Sequence, residues 1–339
     1  MTADLFTPAP ELRISIEGSR DARRHFRAEY GAALTPPRTG PAAAEEVRVT
    51  VGGAHDDPLD EGVDGGHKTV RWTVALGDPG AHPLSARIAI GGRPRRFALS
   101  LIQGFVVEPL VSVAAARAGL VLLPAAALVA GGGAAILLGR SGAGKTSVVA
   151  RALAAGGEAL GDDQILLTED GAVRPWPRRL RLYPDIRATA PAALRRLPPR
   201  RRAALGGLAA LRAATRGWVA PSLPVQWREL GVEPAAGPIP AHRVVVLDRS
   251  GAADAITAEP LSGGAVAALA REILDEQRAR FEALAGPGWS AALADAARRE
   301  QALLESALGS SPAERWTVPA AWGASTAVGA LASRLGVEG

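Results

Sequence analysis

Nine consecutive residues, Gly139, Arg140, Ser141, Gly142, Ala143, Gly144, Lys145, Thr146 and Ser147, fit the spacing G-x-x-x-x-G-K-[ST]. Such a run can bind phosphate. Its glycines let main-chain N–H groups turn inward around an anion, and the N-terminus of a following helix adds positive potential. Lys145 can reach the outer phosphates of a nucleotide, and the Thr146 hydroxyl can ligate a divalent cation. The flanks suit the motif: an apolar stretch precedes it, a helical pattern runs on to residue 155, and Gly156 and Gly157 stand where a helix stops. Lysine occurs only at positions 68 and 145, against 37 arginines, so a lysine at this point of the pattern is informative.

A second group follows 17 and 18 residues beyond Lys145. Asp162 and Asp163 are adjacent carboxylates in GEALGDDQILL, after one β-type segment and before another at 165–167. A strand returning there would bring the pair to the nucleotide edge of a sheet. One carboxylate could then hold Mg2+ and the other take a proton from an attacking hydroxyl. The residue types leave open which does which, and a bare D-D pair is also common in solvated turns.

Other nucleotide chemistries fit less well. A base-reading N-K-x-D motif is excluded, because the chain has no asparagine. LSGGA at 261–265 and ILDE at 273–276 imitate the signature and Walker B of a transporter-type ATPase. Only about ten residues separate them, too few for the helix and buried strand required between, and no histidine follows His242. Ser262 reads instead as the N-cap of an amphipathic helix over 263–285.

The segment 122–167, LLPAAALVAGGGAAILLGRSGAGKTSVVARALAAGGEALGDDQILL, resembles the catalytic domain of the HPr kinase/phosphorylase family and its wider relatives. The shared pattern is a strand pair, a G-x-S-G-x-G-K-[ST] loop, a helix, a small-residue turn and a D-D pair beside a strand. RPWPRRLRLYPD at 174–185 is similar to the proline–arginine segment that follows in many relatives. The resemblance implies an α/β fold in which a P-loop catalytic domain, a mixed sheet with flanking helices, covers 113–310. It implies ATP and Mg2+ as cofactors, with the γ-phosphoryl group transferred to a hydroxyl, serine above all, on a peptide or protein. Residues 139–147 would cradle the triphosphate, Thr146 and Asp163 would contact the metal, and Asp162, Asp163 and Lys145 would form the catalytic set. An arginine of the 178–181 cluster would clamp the phosphoryl group. Relatives include kinases that tailor ribosomally made peptides. One departure stands out: the family's histidine, 15 residues before the first loop glycine, is Pro124 here. Proline cannot move a proton, which counts against the phosphorolysis half of the family's chemistry. It also favours a second reading, a nucleotide-binding scaffold without catalysis.

The elements that must hold these residues can be sketched along the chain. Residues 1–112 read as a smaller β-rich accessory or recognition domain, with strands at 12–16, 47–51, 70–76, 86–90 and 97–102 and loops at 35–44, 52–66 and 75–83. The uncharged stretch 118–139 is long enough to cross a bilayer, but Pro124 and Gly131, Gly132 and Gly133 interrupt it. It is therefore expected as buried strands at 120–123, 126–129 and 134–138 around a glycine turn. Further along, the pattern predicts a strand at 244–247 and helices over 263–285 and 291–308. Residues 311–339 form a tail without a clear pattern.

Composition bounds the partners. With no cysteine the chain has neither disulfides nor thiolate chemistry. The net charge of +5 comes from arginine, alongside abundant alanine and glycine, and so reads first as a GC-rich coding bias. Aromatics at 4% and the lack of a recognised motif argue against nucleic acid. The arginine cluster at 195–216 reads as a solvated helix face or as a site for an acidic peptide or protein. No membrane association is expected. The N-terminal residues lack a signal-peptide pattern, which points to the cytoplasm. A homo-oligomer is compatible with the family resemblance, without an interface signal.

Overall fold

The computed structural model describes residues 3–36, 43–53, 62–218, 221–251 and 254–337. The protein is mixed α/β and divides into two compact units. One comprises residues 1–122 and 274–303, the other 123–273 and 304–339. The division therefore differs from a linear split at 112 and 310, because a late helical segment belongs with the first unit.

In the first unit the strands are β1 (Asp4–Ala9), β2 (Leu12–Gly18), β3 (Leu34–Thr35), β4 (Glu45–Gly53), β5 (Val63–His67), β6 (Val70–Leu76) and β7 (Leu84–Gly92). They form a seven-stranded sheet in the order β3-β1-β2-β4-β7-β6-β5, with β2, β4 and β7 parallel. Alternation explains the faces: Val47, Val49 and Val51 on β4 and Val70, Trp72 and Val74 on β6 are buried. Helix α1 (Arg20–Tyr30) follows β2, capped by the Ser19 hydroxyl, and buries Ala22, Phe26 and Tyr30 at helical spacing.

The strand expected at 97–102 is instead helix α2 (Arg95–Ile102). It runs through a π turn at Gln103–Val107 into α3 (Glu108–Arg117). A short apolar run fits either a strand or a buried helix, and here the length of the continuous stretch decides. Arg95–Arg117 has the length and composition to cross a membrane, but 72% of its most apolar window is buried inside the protein. The loops expected at 35–44 and 52–66 lie partly outside the described residues, and Val63–His67 of the second is a strand, β5.

The chain passes between units at β8 (Leu120–Leu123). The second unit then continues with β9 (Ala126–Ala130) and β10 (Gly133–Leu138), an antiparallel pair joined by Gly131 and Gly132, both at positive φ. Next come α4 (Lys145–Ala154), β11 (Ala159–Gly161), β12 (Ile165–Thr168), β13 (Ala172–Pro175) and β14 (Leu180–Leu182). Helices α5 (Ile186–Thr189), α6 (Pro191–Arg196) and α7 (Pro199–Ala214) precede β15 (Leu223–Val225), β16 (Ile239–Gly251) and β17 (Thr257–Leu261). Helices α8 (Gly263–Ala285) and α9 (Ser290–Leu308), of which residues 274–303 belong to the first unit, lead to β18 (Ala313–Pro319) and α10 (Ala324–Arg334) of the second, so the patternless tail is an ordered strand and helix.

At the centre of this unit lie three parallel strands, β10, β16 and β18, with β9 antiparallel to β10 and β11 antiparallel to β9 beyond it. The residues of β10 are all buried, which is why it reads as an uninterrupted apolar run. Val149 and Leu153 of α4, Ile186 of α5 and Leu331 of α10 share one core with Leu128 and Leu137 of the sheet.

Candidate active site

The candidate site lies beyond the carboxyl end of β10, the edge at which α/β sheets hold ligands. The strand ends at Leu138, and the backbone then turns through Gly139, Gly142 and Gly144, with φ of 153°, 86° and 100°. A Cβ at Gly139 would stand 2.8 Å from the Leu247 carbonyl oxygen of β16, so the loop can begin only with glycine. The Ala143 N–H donates to the Arg140 carbonyl at 3.2 Å and closes the turn. Arg140, Ser141 and Gly142 are exposed, and Ala143 through Ser147 are half-buried. Gly144 is the N-cap of α4, whose first N–H groups have no partner within the helix.

Lys145 curls back into this loop. Its Nζ donates to the Gly139 carbonyl and, at 3.3 Å, to that of Arg140. Burial holds its pKa below the ordinary lysine value, while the charges of Asp163 and Asp162 oppose the shift. A cation held on loop carbonyls beside helix N–H groups and the exposed Gly142 fits a phosphate chain with its metal.

The aspartate pair stands at the turn between β11 and β12. A Cβ at Gly161 would approach the Gln164 carbonyl oxygen to 2.3 Å, so glycine there permits the tight G-D-D-Q turn. Asp162 is buried, 3% exposed, and accepts the main-chain N–H of Arg181 at 3.2 Å. Burial, then the charge of Asp163, pushes its pKa up to about 7, against the opposing pull of that hydrogen bond and of Arg178 and Arg181. Asp163 is more open, its side chain 43% exposed, and pairs with Arg178 at 3.1 Å. Arg178 also donates to Gln164 at 3.2 Å, and its own carbonyl accepts from the Trp227 indole at 2.9 Å.

The structure thus brings Lys145, Asp162 and Asp163 into one electrostatic site and adds Arg178 and Arg181 from the 178–181 cluster. Ser147 faces another way, its hydroxyl accepting from Thr189 of α5 at 3.2 Å. Thr146 stands in the first turn of α4, next to Lys145. Among the described residues no group of three or more histidines and carboxylates could hold a metal alone. A cation here would need oxygen from its nucleotide, as Mg2+ commonly does.

Sequence reasoning missed Tyr183. It is 39% exposed, and burial, with the charges of Asp163 and Asp162, raises its pKa although Arg181 opposes. Its position at the end of RPWPRRLRLY, just after β14, was the only available signal. Pro124 is buried in the turn between β8 and β9. The transporter-like ILDE lies inside α8, so Asp275 and Glu276 are on a helix and not at a strand end. Ser262 caps that helix, accepting the Ala265 N–H at 3.3 Å.

A scan against protein-family models finds no match for the chain, and a search of curated proteins also finds none.

Proposed function

We propose that the protein is a P-loop phosphotransferase of the HPr-kinase-like type, which transfers the γ-phosphoryl group of ATP to a hydroxyl, serine above all, of a peptide or protein. The observation that carries this reading is the shared electrostatic site of Lys145, Asp162 and Asp163 beside a glycine loop that opens a helix. Under this reading the second unit is the catalytic one, the first recognises substrate, and the enzyme works in the cytoplasm.

Magnesium-bound ATP supplies the transferable group and neutralises part of its charge. The chain's residues divide the remaining tasks. Lys145, with the N–H groups of Gly142 and of residues 144–147, binds and orients phosphate. Thr146 and the more open Asp163 would hold the metal. Asp162 is the general base, since a carboxylate poised near neutral pH both exists ionised and accepts a proton readily. Arg178 would exchange Asp163 for a phosphoryl oxygen, which its planar fork suits.

A second reading, a scaffold that binds nucleotide without turnover, is favoured by Pro124, which offers no proton-transfer group where the resembling family has histidine. The two part in one experiment: γ-labelled ATP and Mg2+ incubated with a lysate of the source organism and with wild type, Lys145→Ala or Asp162→Ala. A discrete labelled species that needs both residues supports the kinase. Nucleotide bound by wild type with no labelled species supports the scaffold.

A further inference from the structure

We propose that the segment 186–218, centred on α7, is a docking arm for an acidic polypeptide segment, that of the acceptor; this rests on the phosphotransfer reading above. The segment holds eight arginines and neither aspartate nor glutamate. Among the described residues, Arg201 and Arg196 are held by side-chain hydrogen bonds. Arg201 grips Glu229 with Nε and Nη2 at 2.7 and 2.9 Å, and Arg196 donates to the Leu153 and Ala154 carbonyls at 3.0 and 2.9 Å. The others are exposed, and five of them, Arg195, Arg200, Arg202, Arg212 and Arg216, lie on or beside α7.

Helix α7 has 16 residues, of which only Leu205 is buried, with Leu208 half-buried beside it. Leu211 is 44% exposed, and Trp218, just past the helix, is 74% exposed. The helix is therefore fastened along one narrow line and presents the rest of its surface outward. Glu229 offsets Arg201 and in part Arg200, and the remaining like charges repel one another; a partner carrying carboxylates relieves that repulsion.

The surface between the arginines favours a polypeptide. Ala203, Gly207, Ala210 and Ala214 recur on the side opposite Leu205, and Leu211 lies beside them. On α7 Arg200 borders this face, while Arg202 and Arg212 lie on the other sides of the helix. A small apolar strip thus stands beside cationic groups, as an acidic amphipathic segment requires. Leu211 and Trp218 are the large apolar groups exposed with these arginines, short of the row that a membrane-surface helix inserts and of the series of aromatics on which a single-strand site stacks successive bases. The arm is also tied to the candidate site: Arg196 fastens the end of α6 to the last carbonyls of α4, the helix that Lys145 begins.

The test is fluorescence anisotropy with a labelled helical Glu/Ala/Leu peptide, a neutral Gln/Ala/Leu peptide and oligothymidylate, alongside co-sedimentation with phosphatidylglycerol vesicles. The proteins are wild type, Lys145→Ala and a variant carrying Arg200→Glu, Arg202→Glu, Arg212→Glu and Arg216→Glu, its fold checked by thermal melting. We expect the acidic peptide to bind wild type and Lys145→Ala alike. Binding should weaken steeply as salt rises, and about tenfold or more in the reversed variant. Absence of binding, equal binding of the neutral peptide, indifference to charge reversal, or tighter binding of oligothymidylate or vesicles overturns the proposal. Peptide binding without phosphoryl transfer in the lysate assay sinks the phosphotransfer reading and leaves the arm standing.

Discussion

The Asp162 carboxylate accepts the Arg181 main-chain N–H at 3.2 Å, a bond that joins the β11–β12 turn to β14. That hydrogen bond, with the charges of Arg178 and Arg181, favours the ionised form of a carboxyl driven toward protonation by burial and by Asp163. Asp162 is held between two states by opposing local forces, the condition under which a carboxylate can serve as a base near neutral pH.

Stability should carry the mark of that balance. The Asp162 carboxyl keeps its proton to about pH 7 when folded and, at the ordinary aspartate value of 3.8, to about pH 4 when unfolded. Between those values the folded chain binds more protons, so stability falls as pH rises from about 4 to 7 and the loss is complete above. Asp162→Asn, which cannot ionise, should exceed wild type in stability by on the order of 3 kcal/mol above pH 7 and match it near pH 4. Thermal melting across that range, without nucleotide, measures it; an unchanged pH slope refutes the assignment.

The two aspartates should fail differently. Asp162→Asn should lower kcat by about 10²- to 10⁴-fold with the Mg2+ requirement unchanged. Asp163→Asn should raise the half-saturating Mg2+ concentration by about tenfold or more, a contact that oxygen chemistry supplies. Steady-state rates across a Mg2+ titration separate them, and identical metal dependence would exchange or remove the assigned roles.

Glycine at 161 is required by contact. Gly161→Ala places a Cβ at 2.3 Å from the Gln164 carbonyl oxygen and should cost about 1–3 kcal/mol while displacing the aspartate turn. Gly206→Ala in α7 meets nothing within 4 Å and should stabilise by about 0.5–1 kcal/mol. Denaturant midpoints for both variants test the contrast.

In the first unit, Arg278 and Glu300 are 3% and 0% exposed, and both bond the Ser112 hydroxyl, at 3.1 and 2.8 Å. Arg278→Ala leaves a buried carboxylate and should cost about 3–5 kcal/mol, whereas the paired change Arg278→Met with Glu300→Leu should recover most of that. A double-mutant cycle in urea measures the difference; equal losses in the single and double variants would contradict a desolvated pair.

Much of the second unit was readable in order along the chain. Gly131 and Gly132 between apolar runs announced the β9–β10 turn, the period after Gly144 announced α4, and Ser262 announced the start of α8. Local steric and hydrogen-bonding rules act there within a few residues, so sequence suffices. The run at 97–102 was misread, because burial of a short apolar segment has the same signature in a strand and in a helix. Whether such a segment pairs with a neighbouring strand or coils against a sheet depends on partners far away.

The candidate site divides along the same line. Residue types and spacing alone determined the phosphate-binding character of 139–147 and the availability of two carboxylates, since peptide geometry and lysine chemistry are local properties. Only the tertiary structure decided that Asp162 is buried and Asp163 open, that Arg178 and Arg181 reach them, that Tyr183 stands nearby, and that α7 is left exposed. Burial and charge proximity are set by which distant segments pack together, and desolvation and Coulomb energy respond to that packing rather than to position along the chain.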